Sequence, residues 1–380
     1  MNRTIENETV SLCEYAKRIT NTRQLSIILI LECVFGLVAV FPNLFALYLL
    51  WRSRVFHCNL RLLLGNINLV LAIYPVAVAG KAFRYLFSPV CDLPKPMRWC
   101  FMRDWFIMIP MHNSLISLVP LCLERLYATL RYRTYDYAKA PPYIGVCFLI
   151  LAWSVTLYIH FGKFHLVPEN QWAPVCEGLF LDSTEVLPIL VQFTALEFLS
   201  LVITLSVYAC NRFIFKRMVI NRAKFDLSSR FLVDQNLKLS AALLPSDLLH
   251  VISYLPSYIL LVFTMFNQSF ATETVMWLSH STYVYRMLYA LFHPILLITR
   301  NPTMRQAAEK TMLGALFERF VVKRCFGARK IGDVNTSGGV GMTTAKLTAV
   351  RFSHLQESWD KAYVNQQKET DRKMTVTDEI

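Results

Sequence analysis

Seven runs of about 20 mainly apolar residues divide the chain, and they restrict its fold more than any other feature of the sequence. A transmembrane helix satisfies its own backbone hydrogen bonds where water is absent, so each run is predicted to be one helix that crosses a bilayer. The predicted spans are residues 25–51, 60–80, 105–130, 143–162, 186–210, 237–266 and 275–298. The sequence therefore predicts an all-α integral membrane protein whose residues 25–299 form a seven-transmembrane helix bundle.

The distribution of lysine and arginine between the spans predicts the orientation of the chain. With the N-terminus outside, the inner loops hold thirteen of these residues and the outer loops hold six, which agrees with the positive-inside rule. Asn2 and Asn7 head two glycosylation sequons in residues 1–24, which suits an extracellular N-terminal segment. That segment lacks the apolar core of a cleavable signal peptide, so the first span is expected to direct insertion. We expect a multi-pass plasma-membrane protein with its N-terminus outside.

Basic residues are also frequent after the last span. The formal net charge is +13, but the basic residues fall between and after the apolar runs, so the expected partner is membrane lipid and not nucleic acid. Asn301 and Pro302 begin a predicted amphipathic eighth helix, residues 300–326, on the cytoplasmic face of the membrane. Cys325 at its end is a palmitoylation candidate. Residues 327–380 are predicted to be a flexible cytoplasmic tail that contacts arrestin or a PDZ domain.

An acid followed by an arginine stands at the inner end of the third span, in the segment Leu-Glu-Arg-Leu-Tyr at residues 123–127. The segment resembles the Asp/Glu-Arg-Tyr signature of rhodopsin-like G-protein-coupled receptors. The resemblance implies that Glu124 holds Arg125 at rest and that Arg125 and Tyr127 take part in coupling to a heterotrimeric G protein. The alternative is an arginine that only obeys the positive-inside rule.

A cysteine lies 25 residues before this arginine, at Cys100. Twenty-five helical residues span roughly one membrane thickness, so Cys100 is expected at the outer end of the third span. This separation resembles that of the same receptors, which implies a disulfide between Cys100 and Cys176 in the second outer loop. Cys91 is the alternative partner of Cys176.

Three further segments narrow the resemblance to one group of receptors. Residues 124–129 read Glu-Arg-Leu-Tyr-Ala-Thr, residues 135–137 read Tyr-Asp-Tyr, and residues 300–305 read Arg-Asn-Pro-Thr-Met-Arg. Together with His293-Pro294, which replaces the usual Asn-Pro, these segments resemble the nematode serpentine chemoreceptors. Class epsilon is the favoured class, with classes alpha, alpha-beta and beta as alternatives. The resemblance implies G-protein-coupled detection of an environmental or pheromone-like small molecule, in the membrane of sensory cells or their cilia.

Polar residues inside the spans are the candidates for ligand binding, because the bilayer makes them costly. The candidates are His112, Asn113, Glu197, Tyr258, His280, Tyr283 and Arg286. If Asn43 and Pro294 lie at the same depth, Glu32 and Arg286 come close enough to pair between the first and seventh spans.

Two other functions remain open from the sequence. The ligand of the receptor is alternatively an endogenous peptide or another transmitter. A seven-span transporter or channel would use Glu32, Glu197, Asp247 and Arg286 as an ion path, although no internal repeat is apparent. An enzyme is not expected, because no pair of intramembrane aspartates or serine-protease motif is present. The ten cysteines are scattered singly, so neither a metal site nor a cofactor is expected.

Overall fold

The computed structural model describes residues 2–53, 56–131, 143–164, 167, 171–176, 183–220, 227–266 and 272–311. Almost all of these residues are helical. The helices are α1 (Asn2–Thr20), α2 (Arg23–Ser53), α3 (Cys58–Phe87), α4 (Met97–Ile116), α5 (Leu118–Leu130), α6 (Tyr143–Phe164), α7 (Ser183–Ile220), α8 (Leu227–Phe266), α9 (Thr272–Arg300) and α10 (Pro302–Glu309). Two short strands, β1 (Lys95–Pro96) and β2 (Trp172–Ala173), pair antiparallel.

Each predicted span lies within a helix, except that the third span is divided into α4 and α5 at Ser117. The helices extend beyond the apolar runs, most of all at α7 and α8, which reach Ile220 and begin at Leu227. The stretch from 211 to 236, which joins the fifth and sixth apolar runs, is therefore helical in its described parts, 211–220 and 227–236. Hydropathy marks only the part of a helix that lies in hydrocarbon, whereas its backbone hydrogen bonds continue into the aqueous region.

The helices pack into a closed bundle. Helix α2 packs against α3 and α9, α8 packs against α7 and α9, and α5 packs against α7. Among the described residues, five segments are long and apolar enough by composition to cross a membrane, namely 23–52, 58–87, 97–130, 143–162 and 191–220. Helices α8 and α9, with 40 and 29 residues, are also long enough to cross a bilayer. Large apolar side chains such as Leu37 and Phe106 are exposed on the outside of the bundle, which suits contact with lipid.

One end of the bundle carries two disulfides, and we call it the disulfide end. Cys100 is bonded to Cys176, and Cys91 is bonded to Cys13. The first bond fastens the loop that contains β2 to the start of α4. The second bond fastens α1, for which the sequence predicts no helix, to the 3-10 turn Val90–Asp92. Helix α1 forms because Ala16 and Ile19 bury one face against the bundle.

The opposite end, which we call the Arg125 end, is closed by α10. The Asn301 side chain accepts hydrogen bonds from the backbone N–H groups of Thr303 and Met304, both at 3.1 Å. Met304 and Ala308 are buried against the bundle, so α10 is amphipathic. The helix ends at Glu309, however, and is therefore shorter than the predicted 300–326. Cys325 and the tail 327–380 lie outside the described residues.

Two glycines allow neighbouring helices to approach closely. A Cβ atom added to Gly36 of α2 would lie 2.7 Å from the carbonyl oxygen of Pro75 in α3. A Cβ added to Gly145 of α6 would lie 2.8 Å from the Cα of Asn59 in α3. The Gly145 N–H also donates to the Asn59 side chain at 3.1 Å. Small residues at such contacts are typical of helix packing in membranes.

Substitution of Gly145 by alanine is therefore expected to destabilise the bundle by about 1–3 kcal/mol, because the added methyl group clashes with backbone atoms. Gly162→Ala in the same helix is the matched control, since an added Cβ there meets nothing within 4 Å. Thermal unfolding of the purified protein in detergent measures both. Equal midpoints for the two variants would contradict the close packing of α6 on α3.

Candidate functional site

Buried polar residues cluster at the Arg125 end and around the middle of the bundle. At the Arg125 end, both residues of the Glu-Arg motif are buried, with 1% and 4% exposure. The Arg125 guanidinium donates two hydrogen bonds to the Glu124 carboxylate. It also donates through Nη1 to the side-chain oxygen of Asn236 in α8, at 3.3 Å. Arg125 therefore links the third span to α8, and we call Glu124, Arg125 and Asn236 the inner latch.

Tyr127 does not join the inner latch. It is 46% exposed, because two residues along a helix turn the side chain to nearly the opposite face. Asp234 is also outside the latch, since its carboxylate accepts from Lys238 at 2.6 Å. The residue of α8 that meets the arginine is the amide Asn236, which is not among the residues singled out from the sequence.

Asn113, a ligand candidate, belongs to a network that joins three helices. Asn66 in α3 donates to the side-chain oxygen of Asn113 at 2.9 Å and accepts from Trp153 in α6 at 2.9 Å. Asn113 in turn donates to Thr156 at 3.3 Å. In this network the Asn113 side chain hydrogen-bonds to both α3 and α6.

Glu32 lies against a different partner from the predicted one. Its carboxylate is 2.9 Å from Nδ1 of His280 in α9, and both side chains are fully buried. The predicted pair of Glu32 with Arg286 is therefore wrong. His280 and Arg286 are six residues apart on α9, which places them about 120° apart around the helix axis. Of the two, His280 is the residue that contacts Glu32 of α2.

The wrong pairing of Glu32 with Arg286 arises from the assumed relative depth of α2 and α9 in the membrane. The Asn43 side chain donates to the carbonyl oxygen of Ala290 at 2.7 Å, so Asn43 is level with Ala290 and not with Pro294. From that contact, Glu32 is eleven residues toward the disulfide end and His280 is ten. A correction of one helical turn would have predicted His280 as the partner.

Arg286 points to the interior of the bundle. Its side chain is nearly buried, with 8% exposure. Nη1 lies 2.7 Å from the sulfur of Met111 in α4, and the guanidinium carbon lies 5.2 Å from the ring centre of Tyr254 in α8. Tyr258 and Tyr283, which are both ligand candidates, belong to the same buried cluster as Met111 and Tyr254. The structure therefore brings three of the predicted residues together.

The other ligand candidates form two separate pairs. Glu197 of α7 lies 2.6 Å from Nδ1 of His250 in α8, and both are buried. His112 of α4 stacks on His160 of α6, with 2.9 Å between Nδ1 of the first and Nε2 of the second. Phe193 covers His112, with ring centres 4.3 Å apart. Each pair joins two helices.

A buried ion pair near the disulfide end was missed. Lys81 of α3 and Asp104 of α4 are 3.4 Å apart, with side-chain exposures of 2% and 9%. The Lys81 ammonium also lies 5.5 Å from the ring centre of Tyr283. Sequence reasoning counted Lys81 as an outer-loop charge, because the apolar run ends at residue 80. Asp104, which stands one residue before the predicted third span, was the sequence feature that could have identified the pair.

Two comparisons with known proteins bear on these clusters. Residues 10–319 match the family described as serpentine type 7TM GPCR receptor class ab chemoreceptor. The chain is 23% identical over 324 residues to serpentine receptor class alpha/beta-14 of Caenorhabditis elegans, an alignment that covers 81% of this chain and 82% of the relative. The expected class epsilon is thus replaced by class alpha-beta, one of the named alternatives. The short motifs used for the expectation do not separate these classes.

Proposed function

The chain belongs to the serpentine class ab family of seven-transmembrane G-protein-coupled chemoreceptors, and we propose that it binds a small molecule among its central helices and signals through Arg125. In this proposal the disulfide end faces outward and the Arg125 end meets a heterotrimeric G protein. The inner latch is the observation that carries the proposal. It joins the third span to α8 through one buried arginine, so the arginine is released when these helices separate.

Three features support an N-terminus outside the cell. Disulfides form and persist in oxidising compartments, and both bonds lie at the end reached by the N-terminal helix. The predicted sequons at Asn2 and Asn7 fall on the same helix, although their side chains lie outside the described residues. Lys81 is buried with Asp104 and is not a loop charge, which strengthens the positive-inside bias.

The conformational step we propose is a shift of population between two states. In the resting state Asn236 holds Arg125 at 3.3 Å. Helix α8 contains Pro245 and Pro256, and proline allows a membrane helix to bend where a backbone hydrogen bond is missing. A ligand that favours outward bending of α8 moves Asn236 away and frees Arg125 for the G protein.

The test is a reporter assay in cells that express the chain and are treated with fractions of medium conditioned by nematodes. We expect at least one fraction to raise cyclic nucleotide or calcium, and the response to disappear in matched cells that lack G-protein α subunits. A response that persists in those cells as an ion current would contradict the receptor proposal and favour a channel.

The orientation has its own measurement. An epitope tag at the N-terminus is expected to bind antibody on intact cells, whereas a C-terminal tag is expected to bind only after permeabilisation. Labelling of both tags on intact cells would contradict the proposed seven crossings. A location in the sensory cilium is part of the proposal and is tested by imaging the tagged chain in sensory neurons.

A further inference from the structure

Arg286 is a buried cation for which the described residues supply no carboxylate partner. It lies near the middle of α9 with 8% exposure. Its contacts are the Met111 sulfur and the Tyr254 ring, which are a weak acceptor and a π face. The buried acids Glu32 and Glu197 lie 2.9 Å from His280 and 2.6 Å from His250, so each of them already has a histidine beside it.

Two hydrogen-bond donors at this place have no acceptor. In the described part of the chain, neither Nε of Arg286 nor the hydroxyl of Tyr74 in α3 has a hydrogen-bond partner, although both atoms are buried. Tyr74 is 1% exposed and belongs to the same buried cluster as Met111 and Tyr254, the two side chains that contact Arg286. Buried donors normally have a partner, and a buried charge is normally paired. Both orphan groups require an acceptor, and the cation requires a negative charge.

We propose that the ligand of this receptor carries a carboxylate and that Arg286 and Tyr74 bind it. The guanidinium fork matches a carboxylate geometrically, and the two orphan donors would each gain an acceptor. The inference rests on the proposed receptor function and names the chemical class of its ligand. A cationic ligand would instead meet the Arg286 charge without a compensating acid.

The rings around Arg286 indicate what the rest of the ligand contains. The Tyr254 ring lies 5.2 Å from the guanidinium carbon, Tyr258 and Tyr283 belong to the same buried cluster, and all three are at least nine-tenths buried. Aromatic rings of this kind pack against apolar groups while their hydroxyls remain available for hydrogen bonds. The ligand is therefore an amphipathic monocarboxylate, with an apolar part that packs against the tyrosines.

The experiment measures thermal unfolding of the full chain in lipid nanodiscs. The probes are sodium acetate, butyrate, octanoate and benzoate, each compared with its primary amide and with sodium chloride at the same concentration. We expect one or more of the acids to raise Tm in a saturable manner, and the amides to have no such effect. Equal shifts by acid and amide, or no shift with any of the acids, would overturn the proposal.

The variants identify the residues that bind. Arg286→Gln is expected to weaken acid binding at least tenfold, and Tyr74→Phe, which removes only the hydroxyl, by about tenfold. Arg52→Gln is the matched control. The Arg52 guanidinium also lies near a tyrosine ring, 5.7 Å from the ring centre of Tyr48, but it is exposed at the Arg125 end of the bundle. If Arg286→Gln does not fold, Tyr74→Phe decides alone. Unchanged affinity in Tyr74→Phe would then refute the site.

Failure of this inference is distinguishable from failure of the receptor proposal, since nanodisc binding needs no G protein. Cells that respond to a neutral cue, with the response unchanged in Arg286→Gln, would refute the carboxylate site and leave the receptor function intact. Binding of acids by a chain that never activates a G protein would refute the receptor function and leave the carboxylate site intact.

Discussion

Arg125→Ala is expected to abolish the G-protein response while the receptor still reaches the cell surface. In the structure the Arg125 guanidinium is engaged by Glu124 and by Asn236 of α8. In the proposed active state the same guanidinium is the group that contacts the G protein. Alanine removes the group from both states, so signalling falls to the level of cells without receptor. Reporter output divided by surface-tag labelling measures the effect.

Two comparison variants separate coupling from general charge loss. Arg217→Ala removes the same charge from an exposed position on α7 at the same end, and most of the response is expected to remain. Glu124→Gln removes the ionic partner and leaves Asn236 as a weaker restraint, so basal signalling is expected to rise several-fold. A full response by Arg125→Ala would contradict the role of the latch.

The stability of Arg125→Ala needs its own control. The substitution leaves the Glu124 carboxylate buried without its cation, which costs about 3–5 kcal/mol when a buried pair loses one member. The double variant Glu124→Gln with Arg125→Gln carries no unpaired charge and is expected to reach the surface normally. It is also expected to be silent, because the arginine is absent.

The helices could be predicted from the sequence because hydropathy over about 20 residues is a strong physical signal. Their lengths could not, since α7 and α8 continue past the apolar runs with polar residues that hydropathy does not mark as helical. Helix α1 was also missed. Its residues Ala16 and Ile19 gain a buried face only when the rest of the bundle is present.

Several residues of the candidate site were singled out from the sequence, but the contacts between their side chains were not predicted. The resemblance to receptors identified Glu124 and Arg125, and the cost of polar groups in lipid identified His280 and Arg286. Which side chains meet depends on the relative depth and rotation of two helices, and a shift of one turn replaces His280 by another partner. No single-sequence pattern specifies that depth.

The second large effect is expected when Cys100 and Cys176 are both replaced by serine. The bond closes a separation of 76 residues, for which the chain-entropy model gives about 4 kcal/mol of stabilisation. It also positions the Cys176 carbonyl, which accepts from Tyr85 at 2.9 Å and from Arg103 at 3.2 Å. We therefore expect a large fall in surface delivery and in the Tm of the purified receptor.

The bond between Cys13 and Cys91 provides a matched comparison, because its separation of 78 residues predicts nearly the same loop entropy. The Cys13–Cys91 bond fastens only α1 to the 3-10 turn. The Cys100–Cys176 bond also positions the Cys176 carbonyl, which accepts hydrogen bonds from Tyr85 and Arg103. The Cys100 and Cys176 variant should therefore lose more stability than the Cys13 and Cys91 variant. Cys147→Ser, at an exposed free thiol, controls for cysteine loss. Equal losses of stability in the two disulfide variants would mean that chain entropy alone accounts for the effect. A greater loss of stability in the Cys13 and Cys91 variant would mean that the attachment of α1 stabilises the disulfide end more than the attachment of the loop that contains β2.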